Sequence, residues 1–207
     1  MTVKKRMSQE ERRTITREKL IKATIDEIVE NGYANLTTKG ITERSGVTWG
    51  AAQHLFGDRE NLVFEVAKVA SERHVSKLKA FKSHGKPEEK LKSLIEHVWG
   101  CYNDSDMQAY YEISNGNRRN EVMSRRMRPF FSELSDLYDM LWQQILADFN
   151  QPLERIAQVR QLVILTLSGL AQRERLLPEE KTVKRVLSLL EELALHALTS
   201  EAEVPKA

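Results

Sequence analysis

Three side chains inside one short segment can make directional polar contacts. Trp49 carries an indole N–H donor, Gln53 an amide that donates and accepts at once, and His54 a ring that can do either. They sit among Gly50, Ala51 and Ala52, residues too small to shield a surface. That combination suits close approach to a base-bearing groove. Gln53 can pair bidentately with adenine N6 and N7 or reach a phosphate, and Ala51 can touch a thymine methyl. Trp49 can pack on sugar or methyl while donating to phosphate, and His54 suits a phosphate. Thr37, Thr38 and Lys39, just upstream, combine hydroxyls, helix-terminal N–H groups and a cation where a phosphate could bind. Thr48 and Arg59 offer similar contacts at the next two helix starts.

The elements that hold these residues follow from caps and periodicity. Apolar residues recur at three- and four-residue steps almost everywhere, strand-like alternation is absent, and Gly (9) and Pro (5) are sparse, so the expected fold is all-α. A first helix is read over Arg17–Asn31, ending at Asn31-Gly32. Thr37 or Thr38 caps a second helix reaching about Ser45. Gly46-Val47 breaks the chain, and Thr48 caps a third helix that Gly57 ends. Asp58 caps a fourth that reaches about Phe81. Ala52, Leu55 and Phe56 are expected inward, toward Leu36, Ile41 and Val47. Two helices joined by a tight Gly turn, the second one short, form a helix-turn-helix over 37–56.

After Gly85 the helices lengthen: about Pro87–Tyr102, Asp104–Gly116, Asn120–Phe149, Pro152–Leu177 and Thr182–Leu198. Pro129 is expected to kink or break the third of these. The layout divides into a basic flexible arm (1–13), a helix-turn-helix domain (14–74) and a larger C-terminal helical domain (75–207). The arm, with Lys4, Lys5, Arg6, Arg12 and Arg13, suits attraction to polyphosphate. The last two helices carry more apolar surface than one chain readily buries. A dimer interface is therefore expected through Leu162, Leu165, Gly169, Val186, Leu190 and Leu193, with Gly169 at a close helix approach.

Overall balance points to no partner, because Lys and Arg (32) nearly match Asp and Glu (30) for a net charge of +2. Cys101 is the only cysteine, no signal-peptide or bilayer-spanning run is apparent, and a cytoplasmic location is expected. His97 and Cys101 share a helix face, but two ligands are too few for a metal, and buried structural roles are expected; no metal or cofactor is expected. Arg118, Arg119, Arg125, Arg126 and Arg128 read as a solvated face. No Gly-rich phosphate loop, nucleophile elbow or catalytic His/carboxylate cluster is present, which argues against an enzyme. A helical interaction module remains the other alternative, and it would tolerate replacement of Trp49 and Gln53.

The run GYANLTTKGITERSGVTWGAAQHLFGDRENL, Gly32 to Leu62, resembles the DNA-binding region of the TetR family of repressors. Its matching features are GY before the second helix, TT-basic at its start, Ile41, the GV turn at Gly46-Val47, Gly50, His54-x-Phe56 and acid-basic-Glu-x-Leu at Asp58–Leu62. The likeness covers roughly Thr14–His74, and the helical layout extends it to nearly the whole chain. It implies a homodimer on an approximately palindromic operator, released by a small molecule bound in the C-terminal domain. It also implies a pocket among helices four to eight, where the sequence offers Trp99, Tyr102, Met107, Tyr110, Tyr111, Ser114, Met127, Phe130, Phe131 and Leu134. Such a lining suits a hydrophobic or aromatic effector. The chain departs from the family at Gln53, where tyrosine is common, and Trp49 holds a variable position that sets specificity.

Overall fold

The computed structural model describes residues 7–82 and 84–200; the side chains of Phe130 and Leu134 fall outside that description. Every regular element among the described residues is helical: α1 Gln9–Asn31, α2 Thr38–Ser45, α3 Trp49–Phe56, α4 Arg59–Lys79, α5 Pro87–Tyr102, α6 Ser105–Gly116, α7 Glu121–Ile145, α8 Leu153–Leu176 and α9 Glu180–Thr199. Short 3-10 turns follow α1 (Tyr33–Asn35) and α7 (Ala147–Phe149). None of these helices is long and apolar enough to cross a membrane.

The chain forms two compact units. One runs up to Arg73 and includes Ser105–Arg128; the other comprises His74–Asp104 and the chain from Pro129 onward. Ser105–Arg128 groups with the N-terminal helices, because α6 packs on α1 and on the 3-10 turn after it.

In the first unit, α1 buries Leu20, Ile21, Ile25 and Ile28. Each such burial stabilises by about 1.5–3 kcal/mol, enough to fix the helix against its neighbours. Leu36, Ile41, Ala52, Leu62, Val63, Val66 and Ala67 complete the core beneath the helix-turn-helix. The start of α1 corrects the sequence reading. Ser8 Oγ accepts the Glu11 amide at 3.1 Å and Glu11 Oε2 accepts the Ser8 amide at 2.6 Å. This reciprocal capping box starts the helix at Gln9 rather than near Arg17. Residues 9–13 of the expected flexible arm are therefore helical, while 1–6 lie outside the described residues.

In the second unit, α8 packs on α9, and α5 contacts both. Val98, Trp142, Val163, Leu167, Leu190 and Leu198 are buried there. Helix α7 continues through Pro129 without a break, contrary to one expected outcome, and the boundary between the units falls at that proline.

Candidate nucleic-acid interface

Local chemistry sets the geometry of α2 and α3. Thr37 Oγ1 accepts the Gly40 amide at 3.0 Å, and Thr48 Oγ1 accepts the Ala51 amide at 3.3 Å, so each helix starts on its own threonine. Between them Gly46 adopts the left-handed conformation (φ 66°), its amide donating to Thr42 O at 3.0 Å. A side chain there would cost about 1–2 kcal/mol, hence the glycine. Ser45 Oγ accepts the Val47 amide at 3.1 Å and closes the turn.

α2 is tied to α1 by charge. Arg44 Nε lies 3.1 Å from Glu27 Oε2, and its two terminal nitrogens donate to the Glu30 carboxylate at 2.9 and 2.5 Å. The Arg44 hydrogen bonds hold the Glu30 carboxyl below its ordinary value and push the guanidinium's own pKa up. Arg17 reaches from α1 to Glu65 on α4, with its guanidinium 5.8 Å from the Phe56 ring centroid. These ties orient α3.

α3 divides its faces as expected at the extremes. Ala52 is buried, Leu55 and Phe56 are half-buried, and Gly50, Gln53 and His54 are exposed; Trp49 and Ala51 are intermediate. Thr37, Lys39 and Thr48 are exposed and Thr38 is partly so. Arg59 donates to Leu36 O at 3.1 Å and lies 5.6 Å from the Tyr33 ring centroid, so its guanidinium ties the start of α4 to the loop before α2.

The structure seats Arg12 and Arg13, expected on a flexible arm, on α1 beside the reading face, and adds Gln9 and Thr16 to them. Gln9, Arg12, Arg13 and Thr16 on the first turns of α1 line a groove of about 740 Å³ whose other wall is Ala51, His54 and Leu55 of α3. The signal for them was Ser8-x-x-Glu11, which extends α1 far enough to reach the reading face. Arginines beside the exposed His54 can neutralise phosphates next to a base-reading surface.

Residues 20–66 match the family model described as bacterial regulatory proteins, tetR family. Solved structures of the same fold cover almost all of the chain. A transcriptional regulator from Rhodococcus sp. Rha1 aligns over 90% of this chain and 99% of its own at 16% identity, TM-score 0.69. The tetR-family match is to the helix-turn-helix segment, and the rest of the chain shares the fold of these solved structures. The multidrug binding protein EbrR, complexed with imidazole, aligns over 98% of this chain and 100% of its own at 16% identity, TM-score 0.63. The fatty acid degradation regulator FadR from Bacillus halodurans aligns over 94% and 97% at 15% identity, TM-score 0.62. Comparison with curated protein sequences finds no match.

The expected effector lining does not fall in one unit. Met107, Tyr110, Tyr111, Ser114 and Met127 belong to the first, Trp99, Tyr102 and Phe131 to the second, and the side chains of Phe130 and Leu134 lie outside the described residues. Tyr110 and Tyr111 meet edge to face at 5.6 Å, and burial, followed by the neighbouring Tyr111, raises the Tyr110 phenol well above its ordinary value. Tyr102 is buried beside His74, which the sequence reading passed over. The His74 ring lies 5.8 Å from Tyr102 and 5.7 Å from Tyr138, is 3% exposed, and is held neutral with its pKa lowered to about 4, chiefly by burial.

Cys101 Sγ is 3.8 Å from His97 Nε2, which itself sits 3.2 Å from Lys77 O. Burial pushes the thiol up, consistent with an inert structural cysteine. Among the described residues no group of three His, Cys, Asp or Glu side chains could hold a metal. In the arginine run, Arg125 pairs with Glu121 at 3.4 Å, both exposed, and Arg126 lies 4.6 Å from the Phe64 ring centroid.

Burial within the chain separates the residues expected at a dimer interface. Leu190 is 2% exposed, filled in by its own protomer, so it belongs to the internal core of the second unit. Gly169 has open space where a Cβ would stand, so no helix of the same chain requires a glycine there. Leu162, Leu165 and Leu193 are exposed, with Leu189 beside them in sequence, and Val186 is half-buried.

Proposed function

We propose that this chain is a ligand-responsive transcriptional repressor that binds an approximately palindromic operator as a homodimer. The observation that carries the reading is the exposed set Gly50, Gln53 and His54 on α3, with His54 across a groove from Arg12 and Arg13 while Ala52 is buried on the opposite face. In this reading Gln53 and Trp49 select sequence, and Thr37, Thr38, Lys39, Thr48 and the α1 arginines hold phosphates. The exposed leucines of α8 and α9 cover one another across a two-fold axis and space the two reading heads. An effector then acts by preferring one spacing over another.

A hydrophobic or aromatic effector fits the Tyr and Met side chains of α6, Met107, Tyr110 and Tyr111. EbrR, of the same fold, is a multidrug binding protein solved with ethidium, and FadR is a fatty acid degradation regulator. Both names are compatible with an apolar ligand here.

The test is selection of bound duplexes from genomic fragments of the source organism, followed by titration of the recovered site. One dimer should bind per palindrome, and log Kd should rise with log salt at a slope of roughly 0.9 per phosphate contacted. Failure to enrich any fragment, or salt-insensitive binding by a monomer, would refute the reading.

A further inference from the structure

Arg118, Arg119, Arg125, Arg126 and Arg128 stand against a single acid, Glu121, in a chain whose net charge is only +2. All five arginines are exposed. The guanidinium groups of Arg118, Arg119 and Arg128 have no hydrogen bond or ion pair to another described residue. Arg125 meets Glu121 at 3.4 Å with the two side chains 79% and 84% exposed, a pairing that contributes little in water. A solvated face needs no such excess of one sign, and the charge is left available to a partner.

The run sits on a fixed support inside the first unit. The buried Asn117 donates through its side chain to Ile113 O at 2.9 Å, and Asn120 Oδ1 accepts the Met123 amide at 3.1 Å, so the turn carrying Arg118 and Arg119 is closed at both ends. Met123 and Met127 are buried, which leaves the arginines of α7 on its outer face. Two contacts place this surface. The Tyr33 ring covers Gly116, at the end of α6, so closely that a methyl group there would overlap it, and Tyr33 lies in the turn leading to the Thr37 cap of α2. The Arg126 guanidinium lies 4.6 Å from the ring centroid of Phe64, in the first turns of α4. The basic surface therefore adjoins the turn before α2, whose Thr37, Thr38 and Lys39 are read above as phosphate contacts.

We propose that Arg118, Arg119 and Arg125 form a second phosphate-binding surface, which holds the DNA backbone flanking the half-site that α3 reads. The inference rests on the DNA-binding reading above. A row of like charges with one exposed large apolar side chain, Val122, among them suits a polyanion rather than an apolar small molecule. In that reading this same unit already holds a polyanion, and backbone contacts position a duplex without reading its bases. The surface thus adds affinity and leaves sequence preference to α3.

The experiment is titration of the full chain against salt on two duplexes: the site recovered by genomic selection cut to its minimal length, and the same site lengthened by one helical turn of arbitrary sequence on each side. The unaltered protein should show the steeper salt dependence on the longer duplex. The slope of log Kd on log salt should differ by roughly 0.9 for each flanking phosphate held, which is about threefold in affinity per phosphate between about 50 and about 200 mM salt. The triple variant Arg118→Gln, Arg119→Gln, Arg125→Gln should lose that difference while matching the unaltered protein on the minimal duplex. The same three positions changed to Lys, which keeps the charges, should retain it. Equal slopes on the two lengths for the unaltered protein, or a length difference that survives the Gln variant, overturns the proposal. A Gln variant weakened equally on both duplexes overturns it as well, because the arginines would then act through the fold. If the unaltered protein binds neither duplex, the DNA-binding reading itself fails, and this surface with it.

Discussion

The Arg44 guanidinium grips the Glu30 carboxylate with both terminal nitrogens, at 2.9 and 2.5 Å, and so fastens α2 to α1 fourteen residues away in sequence. A planar fork meets a planar acceptor, a geometry lysine cannot copy. Arg44→Lys should therefore lower Tm and weaken DNA binding several-fold at neutral pH. Because Arg44 depresses the Glu30 pKa, the contribution is complete above the ordinary carboxylate value of 4.5 and is lost as pH falls through the depressed one. Thermal melts of both proteins from pH 7 to pH 3 should converge at the acid end; a constant gap would show that Arg44 acts by packing alone.

His74 gives a second pH dependence of opposite chemical origin. Its pKa falls from 6.5 to about 4, mainly through burial, with Lys77 and His97 adding to the shift and Asp104 opposing it. The unfolded chain takes up the proton first as pH falls, so stability is full above about 6.5 and declines toward about 4. The loss approaches roughly 3 kcal/mol at most. His74→Phe should flatten stability between pH 6.5 and pH 4, measured by urea unfolding against the unaltered protein; an equal slope in both would remove His74 as the cause.

Gln53 is exposed on α3 and has no hydrogen bond to another described residue that would hold its amide in place. If it reads a base, Gln53→Ala should cost about 1–3 kcal/mol on the selected operator and little on scrambled duplex. Equal losses on both duplexes assign it to phosphate. No loss on either removes it from the interface.

The leucines of α8 and α9 separate two roles. Leu165 and Leu193 are 63% and 47% exposed, so Leu165→Glu or Leu193→Glu should leave the monomer folded and shift sedimentation from dimer toward monomer. Leu190 is buried within the chain, and Leu190→Ala should destabilise by about 2–5 kcal/mol through transfer and cavity costs. Unfolding of Leu165→Glu, or neutrality of Leu190→Ala, would reverse these assignments.

Local information was enough for the elements and caps. Thr37, Gly46, Thr48 and Gly57 each act through bonds within four residues, so their consequences are written in short windows and agree with α2 and α3 as observed. The Ser8-x-x-Glu11 box is equally local and was legible, yet the charge of residues 1–13 suggested a flexible arm and hid it.

What lay beyond the sequence were relationships between distant residues. Nothing in the pattern pairs Arg44 with Glu27 and Glu30, turns Arg59 onto Tyr33 and Leu36, or places Gly116 against the Tyr33 ring. Periodicity identifies an apolar stripe but not its partner, which is why Leu190 and Leu193 read alike and only packing separated core from exposed face. The sequence by itself determined the helices and the turn between α2 and α3, because caps and periodicity act locally. The tertiary structure alone decided which charges are paired, which leucines stay exposed and which unit holds α6, since each depends on elements that meet only after the chain folds.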